Sequence, residues 1–379
     1  MKRTARAALL FAALSWSTVS CSTTPSFGTG ESPRASAMAA ATAIGICLRA
    51  MPSDWSAALA RNTVQLATTS FSPEAVDPAH DFAFGYFESP SQHGVASLDL
   101  HSGRVRHLSV MTDAEWVAWM SFSDPWLAWE QGESRYVMGN WSIQLLNTRT
   151  GSQRQLATSR LPDGTFLTGQ LSFPVVGNGY VAWSQPTSHS SADLRLYRFD
   201  SGESLAVDSG KVSSPVIAAR QLVWGKLGEH DSQPSLRMAD AMTAKPATVP
   251  AALARPMPIG YLSGSPGYLV WTTGTELMVE QPDSGALSRY HFTRDAIKHP
   301  FQFPMLAGHF LVWYTGTSNT ILDLQTGNAF DVPLPSSVAA SGDEIVVTRP
   351  VPGAKGAVTN TTVSWIRTSP ATRLASCSH

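Results

Sequence analysis

The sequence is short of charge. Only 15% of its 379 residues are Asp, Glu, Lys or Arg, and the net charge at pH 7 is −1; roughly 25% is usual for soluble domains. That shortage fits helical bundles and coiled coils badly, because their exposed faces are rich in Glu and Lys. Without net positive charge there is no global field to hold nucleic acid. Cysteine is scarce as well, at three residues. No stretch reaches the roughly 20 apolar residues that a membrane-spanning helix needs. Local catalytic signatures are missing too. Gly260-Tyr261-Leu262-Ser263-Gly264 is off by one from a nucleophile elbow. No phosphate loop or dinucleotide fingerprint occurs, and the ten His show no zinc spacing. What the chain does have is 43% apolar residues, enough for a sizeable core, with Gly 28, Pro 25 and Trp 12. Those three residue types point to many short strands and turns.

The N-terminus reads as an export address. Lys2, Arg3 and Arg6 precede the apolar run Ala7–Trp16, and small residues follow up to Cys21. This is the layout of a secretory signal peptide. A Cys directly after a small residue resembles the lipobox of bacterial lipoproteins, with Thr18 standing where that family usually has Leu. The resemblance implies that Cys21 is lipidated and becomes the first mature residue. The alternative is an ordinary secreted protein with an incidental Cys. Residues 1–20 are therefore expected to be the signal, residues 21–45 a Ser/Thr/Gly/Pro-rich tether, and residues 46–379 one folded domain. With Cys21 carrying lipid, Cys47 and Cys377 remain, in an oxidising compartment. A disulfide between them would clasp the ends of the domain; two buried free thiols are the other possibility.

A repeat runs through the rest of the chain. An apolar pair followed by Trp recurs at Trp129, Trp183, Trp224, Trp271 and Trp313, with spacings of 54, 41, 47 and 42. A degenerate copy, Phe82-Ala83-Phe84, precedes these and another, Ile345–Thr348, follows. Each copy is trailed by an apolar strand that ends in a polar turn with Gly, such as Leu98–Gly103, Leu146–Gly151, Tyr197–Gly202 and Leu322–Gly327. Gly accepts positive φ, and Asx side chains bond the turn backbone, so these are hairpins. One unit reads as four strands: 171–176, 180–184, 194–199 and 203–207. Four strands per 40–50 residues is the blade of a β-propeller. Seven blades are expected, with six as the alternative. The five recurrent Trp are expected between blades, as structural aromatics. Ahead of the ring, Pro52–Ala60 reads as a short helix with Ser53 at its N-cap, and Thr63–Ala67 as an outer strand.

The Val-Trp and Asp-x-x-Thr-Gly pattern resembles the TolB-type, YVTN-like propellers of bacterial envelope proteins, over roughly residues 64–377. The dipeptides of the WD40 family are not in register. Five Trp, at 116, 119, 126, 129 and 141, lie within 26 residues. They read either as thick inter-blade packing or as an aromatic platform. The candidate binding aromatics are Trp116, Trp126 and Trp141, and strand alternation argues that Trp116 and Trp119 face opposite ways. Residues 131–141 and 159–169 are candidate binding loops. The resulting expectation is a lipid-anchored, extracytoplasmic, monomeric propeller that binds a protein or an envelope glycan, without cofactor, metal or catalytic residues. The alternative is a propeller enzyme acting on extracellular carbohydrate or another small substrate. The central channel separates the two: paired inward carboxylates or His favour an enzyme, and apolar or small residues favour binding.

Overall fold

The structure, a computed structural model, describes residues 41–368 except 68–69, 135–139, 162, 168–171, 178, 189, 251–252, 274–275, 293–300 and 353–357, together with Leu374. The signal segment, most of the tether, Cys21 and Cys377 lie outside the described residues.

Two short elements precede the ring's own strands, β1 (Thr42–Arg49) and the helix α1 (Ser53–Arg61), and β2 (Thr63–Ala67) follows them. Blade 1 is β3 (Ser70–Asp77), β4 (Phe82–Glu88), β5 (His93–Asp99) and β6 (Val105–Met111). Blade 2 is β7 (Trp116–Ser123), β8 (Trp126–Gly132), β9 (Trp141–Asn147) and β10 (Gln153–Thr158). Blade 3 is β11 (Val175–Gly177), β12 (Tyr180–Ser188), β13 (Ser191–Arg198) and β14 (Ser204–Val212). Blade 4 has β15 (Val216–Ala218), β16 (Gln221–Leu227) and β17 (Ser235–Asp240). Among the described residues its fourth place is held by an isolated bridge between Ala239 and Pro246. Blade 5 is β18 (Leu262–Gly264), β19 (Leu269–Thr272), β20 (Leu277–Gln281) and β21 (Ala286–Phe292). Blade 6 is β22 (Gln302–Ala307), β23 (Phe310–Tyr314), β24 (Ser318–Asp323) and β25 (Asn328–Pro333). Blade 7 is β26 (Ser337–Ser341), β27 (Glu344–Pro352) and β28 (Val358–Arg367), completed by β2.

Within each blade successive strands pair antiparallel. The polar Gly turns make this possible. Gly103, Gly151, Gly202 and Gly327 have φ of 69°, 74°, 69° and 75°, where a Cβ would be strained. Asp99 accepts the N–H groups of His101 and Ser102 at 2.9 and 3.0 Å. Asn147 does the same for Arg149 and Thr150, at 3.0 Å each. The strand read as 171–176 is shorter than expected and begins at Val175.

The first strand of every blade touches that of the next, through β3, β7, β11, β15, β18, β22, β26 and back to β3. These seven strands line a central channel. The ring is closed by β2, which pairs antiparallel with β28 from Thr63 opposite Ser364 to Ala67 opposite Asn360. An N-terminal strand thus finishes the last blade, removing the two open edges of an unclosed ring.

β1 was not expected. It runs parallel to two outer strands in turn, Thr42–Ile46 along β21 and Cys47–Arg49 along β25. Cys47 therefore sits at the outside of blade 6, not at the seam where the ring closes. The helix also differs in detail: Pro52 is the N-cap, Ser53 is already helical, and no side chain caps the first turn. α1 lies on the rim between blades 6 and 7. Its Trp55 is 1% exposed and meets Phe310 and Phe330 edge-on, with ring centroids 5.0 Å apart in both cases.

Apolar burial is divided among seven clusters, one for each interface between adjacent blades. Blades cannot bury both faces alone, so these interfaces are the core. Trp129, Trp183, Trp224, Trp271 and Trp313 each fill one, with exposures of 0, 2, 4, 1 and 0%. In blade 7 the matching position holds Val347, and Trp55 joins it in the same cluster from outside the ring.

Candidate functional site

One irregularity repeats around the channel. Opposite the residue that follows the blade aromatic, the innermost strand skips a place. In β3 the register jumps between Pro73 and Ala75, leaving Glu74 unpaired beside Gly85. In β22 it jumps between Gln302 and Met305, past Phe303. Ahead of β11, the Ser184 N–H bonds the carbonyl of Ser172, past Phe173. The jump in β7 falls between Val117 and Trp119. Ahead of β18, Thr272 bonds the backbone of both Gly260 and Tyr261. Each is a β-bulge or its equivalent, which re-aims a side chain. Glu74, Trp119, Phe173, Tyr261 and Phe303 are thereby brought to one level of the ring.

The four aromatics meet. Trp119 contacts Phe173 edge-on at 5.4 Å and Phe303 at 6.5 Å, and Tyr261 lies 4.9 Å from Phe303. Trp119 belongs to blade 2 and Phe303 to blade 6, which are not neighbours, so this contact crosses the channel. All four rings are half-buried rather than sealed. Phe173 and Phe303 have φ of 39° and 50°, a left-handed conformation rare for bulky residues and costly to hold.

Glu130 holds one of them. It is fully buried, and its Oε2 accepts the backbone N–H of Ser172 at 2.8 Å and of Phe173 at 3.1 Å. Burial pushes its carboxyl up to about 7, against the pull of those hydrogen bonds. Its task is to fix the bent backbone that presents Phe173.

Glu74 is different. Its strand passes so close over β4 that a Cβ on Gly85 would lie 2.1 Å from the Ser72 carbonyl oxygen, so Gly is required there. The side chain is half-buried. Desolvation alone pushes its carboxyl up to about 8, and among the described residues no hydrogen bond or ion pair reaches it. Glu74 and Asp77 are the only ionisable side chains on the seven innermost strands. Asp77 is already engaged, with His80 Nδ1 at 2.8 Å and the Ala79 N–H at 3.2 Å.

The sequence-predicted aromatics part company here. Trp141 is fully buried in the interface of blades 2 and 3, so it offers nothing to a ligand. Trp126 stacks on Phe199 at 4.5 Å on the flank of that interface. Trp116 lies across Gly132 and donates its Nε1–H to the Ser134 carbonyl at 3.0 Å. Strand alternation does not separate Trp116 from Trp119, because the bulge at Ala118 inserts a residue between them. The proposed loops 131–141 and 159–169 lie partly outside the described residues. Glu74, Phe173, Tyr261 and Phe303 were not singled out by sequence. One signal was available: Pro73 inside a strand marks a bulge or edge, and Glu74 follows it.

Two other features lie away from the aromatic ring. Asp77, His80 and Asp124 bring ligand-type atoms within 4.8 Å of one another, but Asp124 is paired with Arg149. A cavity of about 300 Å³ lies beside β14 and blade 4. There Asp208 takes the Trp224 Nε1–H at 2.9 Å and the Lys226 ammonium at 2.5 Å. No helix among the described residues is long and apolar enough to cross a membrane.

No protein family matches the chain, and no curated protein matches it. Solved structures do. A prolyl endopeptidase is similar over 80% of this chain, at 14% identity and a TM-score of 0.53. The chain spans 47% of that protein's length. The β-propeller domain of the Trilobed protease from Pyrococcus furiosus is similar over 81% of this chain and 97% of its own, at 6% identity and a TM-score of 0.53. That domain is described as having an open velcro topology, whereas here β2 closes the ring on β28. At these identities the likeness establishes one thing, that the chain folds as a β-propeller.

Proposed function

We propose that this chain is a binding module, not an enzyme, held outside the cytoplasmic membrane by a lipid on Cys21. Its contact surface is the aromatic ring of the channel, and its partner is a protein or an envelope glycan. One observation carries this reading: the innermost strands bring four half-buried aromatics together, and the matching bulge of blade 1 holds the carboxylate of Glu74. Amphipathic rings suit sugar faces and apolar side chains. Glycoside hydrolysis uses two carboxyl groups about 5–9.5 Å apart, and Asp77, the other acid on these strands, is bound to His80.

A propeller enzyme acting on extracellular carbohydrate is the second reading. Glu74 favours it, since a carboxyl raised to about 8 is suited to general acid work. A glycan binding and hydrolysis screen on the intact chain separates the two. Binding without turnover, lost in Trp119→Leu, supports the module. Turnover abolished by Glu74→Gln replaces it with the enzyme.

The covalent clasp joins Cys47 to Cys377 in this reading. Leu374 supports it: its N–H bonds Asp323 Oδ2 at 3.0 Å, and it lines a small cavity with Arg49 and Ala329. Three residues of chain span up to about 10 Å, a length that would let Cys377 reach β1 from Leu374. Non-reducing peptide mapping that finds both thiols free removes the clasp. Mass analysis of the mature N-terminus tests the lipid on Cys21.

A further inference from the structure

We infer that the bulge-level ring of the channel takes an alkylammonium group, with Glu74 as its counter-charge and Trp119, Phe173, Tyr261 and Phe303 as its aromatic walls. This deepens the binding reading and rests on it. The sign of the charge decides the ligand. Aromatic faces carry the negative part of the ring quadrupole and attract cations within about 6 Å. Four such rings converge from blades 2, 3, 5 and 6, and the only charge the innermost strands add at their level is a carboxylate. No Lys, Arg or His occurs on those seven strands. An anion would find no partner there, whereas a cation would supply the one that Glu74 lacks.

The surroundings of Glu74 support this. β3 touches β4, β7, β26, β27 and β28, whose ionisable side chains are Tyr86, Glu88, Glu344, Arg349 and Arg367. None of them moves Glu74; burial alone raises it to about 8. A bound cation offsets that desolvation, so binding releases a proton below pH 8 and tightens as the pH rises. The cation can be a free amine or the side chain of a partner's lysine, because both present the same group.

Calorimetry and indole N–H NMR on the intact chain test the inference. Tetramethylammonium is the main probe, because it is charged at every pH and any pH dependence belongs to the protein. Tert-butanol is its neutral match in size. N-acetyl-lysine amide distinguishes a peptide lysine from a free amine. Tetramethylammonium is expected to bind, to perturb the Trp119 indole, and to bind at least about tenfold more tightly at pH 9 than at pH 6. Glu74→Gln should weaken it about tenfold or more and remove the pH dependence. Trp119→Leu should also weaken it, while tert-butanol should not compete. Equal binding of tert-butanol, or an unchanged affinity in Glu74→Gln, overturns the cation inference and leaves a neutral-ligand channel. If none of the three probes, nor any glycan of the screen above, perturbs Trp119, the channel reading falls with it.

Discussion

Trp129 and Trp119 sit on adjacent strands of one blade and do opposite things. Trp129 is fully buried between blades 1 and 2, with its Nε1–H on Gln131 at 3.2 Å. Trp119, one bulge away on the inner strand, is half-buried and meets rings from blades 3 and 6 around and across the channel. The regular strand positions build the core, and the irregular ones face the channel. A propeller can thus use the same residue type twice, separating its roles by register rather than by chemistry.

That contrast can be broken at several points. The largest effect belongs to the interfaces: Trp313→Ala, at 0% exposure, should cost about 3–5 kcal/mol in denaturant unfolding. Next comes the proposed clasp. Cys47→Ser should lower stability by about 2–4 kcal/mol, and reduction of the wild type should reproduce the loss. Smaller is Glu130→Ala, which strips the N–H groups of Ser172 and Phe173 of their acceptor and should cost about 1–3 kcal/mol. It should also alter the Trp119 indole resonance, because Phe173 leans on that ring.

The subtlest effect is on the pH profile. Glu74, Glu130 and Glu344 have carboxyls raised from 4.5 to about 8, 7 and 7 in the fold, chiefly by burial. The folded state therefore holds protons that the unfolded chain gives up, and stability falls as the pH rises from about 4.5 to about 8. Melting curves should show a lower Tm at pH 8.5 than at pH 5, and Glu74→Gln should flatten the part of the decline above pH 7.

Much of this architecture was legible in the sequence, because the blade Trp and the Asx–Gly turns are local and periodic. Register within the innermost strands was not. A bulge is one inserted residue, and its position depends on the partner strand; Pro73 hints at it, but nothing in Phe303 or Tyr261 does. β1 escaped for a related reason. Thr42–Arg49 shows no alternation and buries only Ile46 fully, and its parallel pairing to two blades is settled by tertiary contacts. The error over Trp141 is the same in kind. Its apolar neighbours could not say whether its side chain faces an adjoining blade or solvent, and it faces Trp183 and Val181 in blade 3's cluster.

The central claim, that regular positions hold the ring together and bulge positions serve a ligand, rests on the two tryptophans compared above. Unfolding free energies of Trp129→Leu and Trp119→Leu, measured side by side, test it most directly. The account predicts a loss of about 2 kcal/mol or more for Trp129→Leu and less than about 1 kcal/mol for Trp119→Leu. Equal losses would show that the channel ring is a second core, and would contradict it.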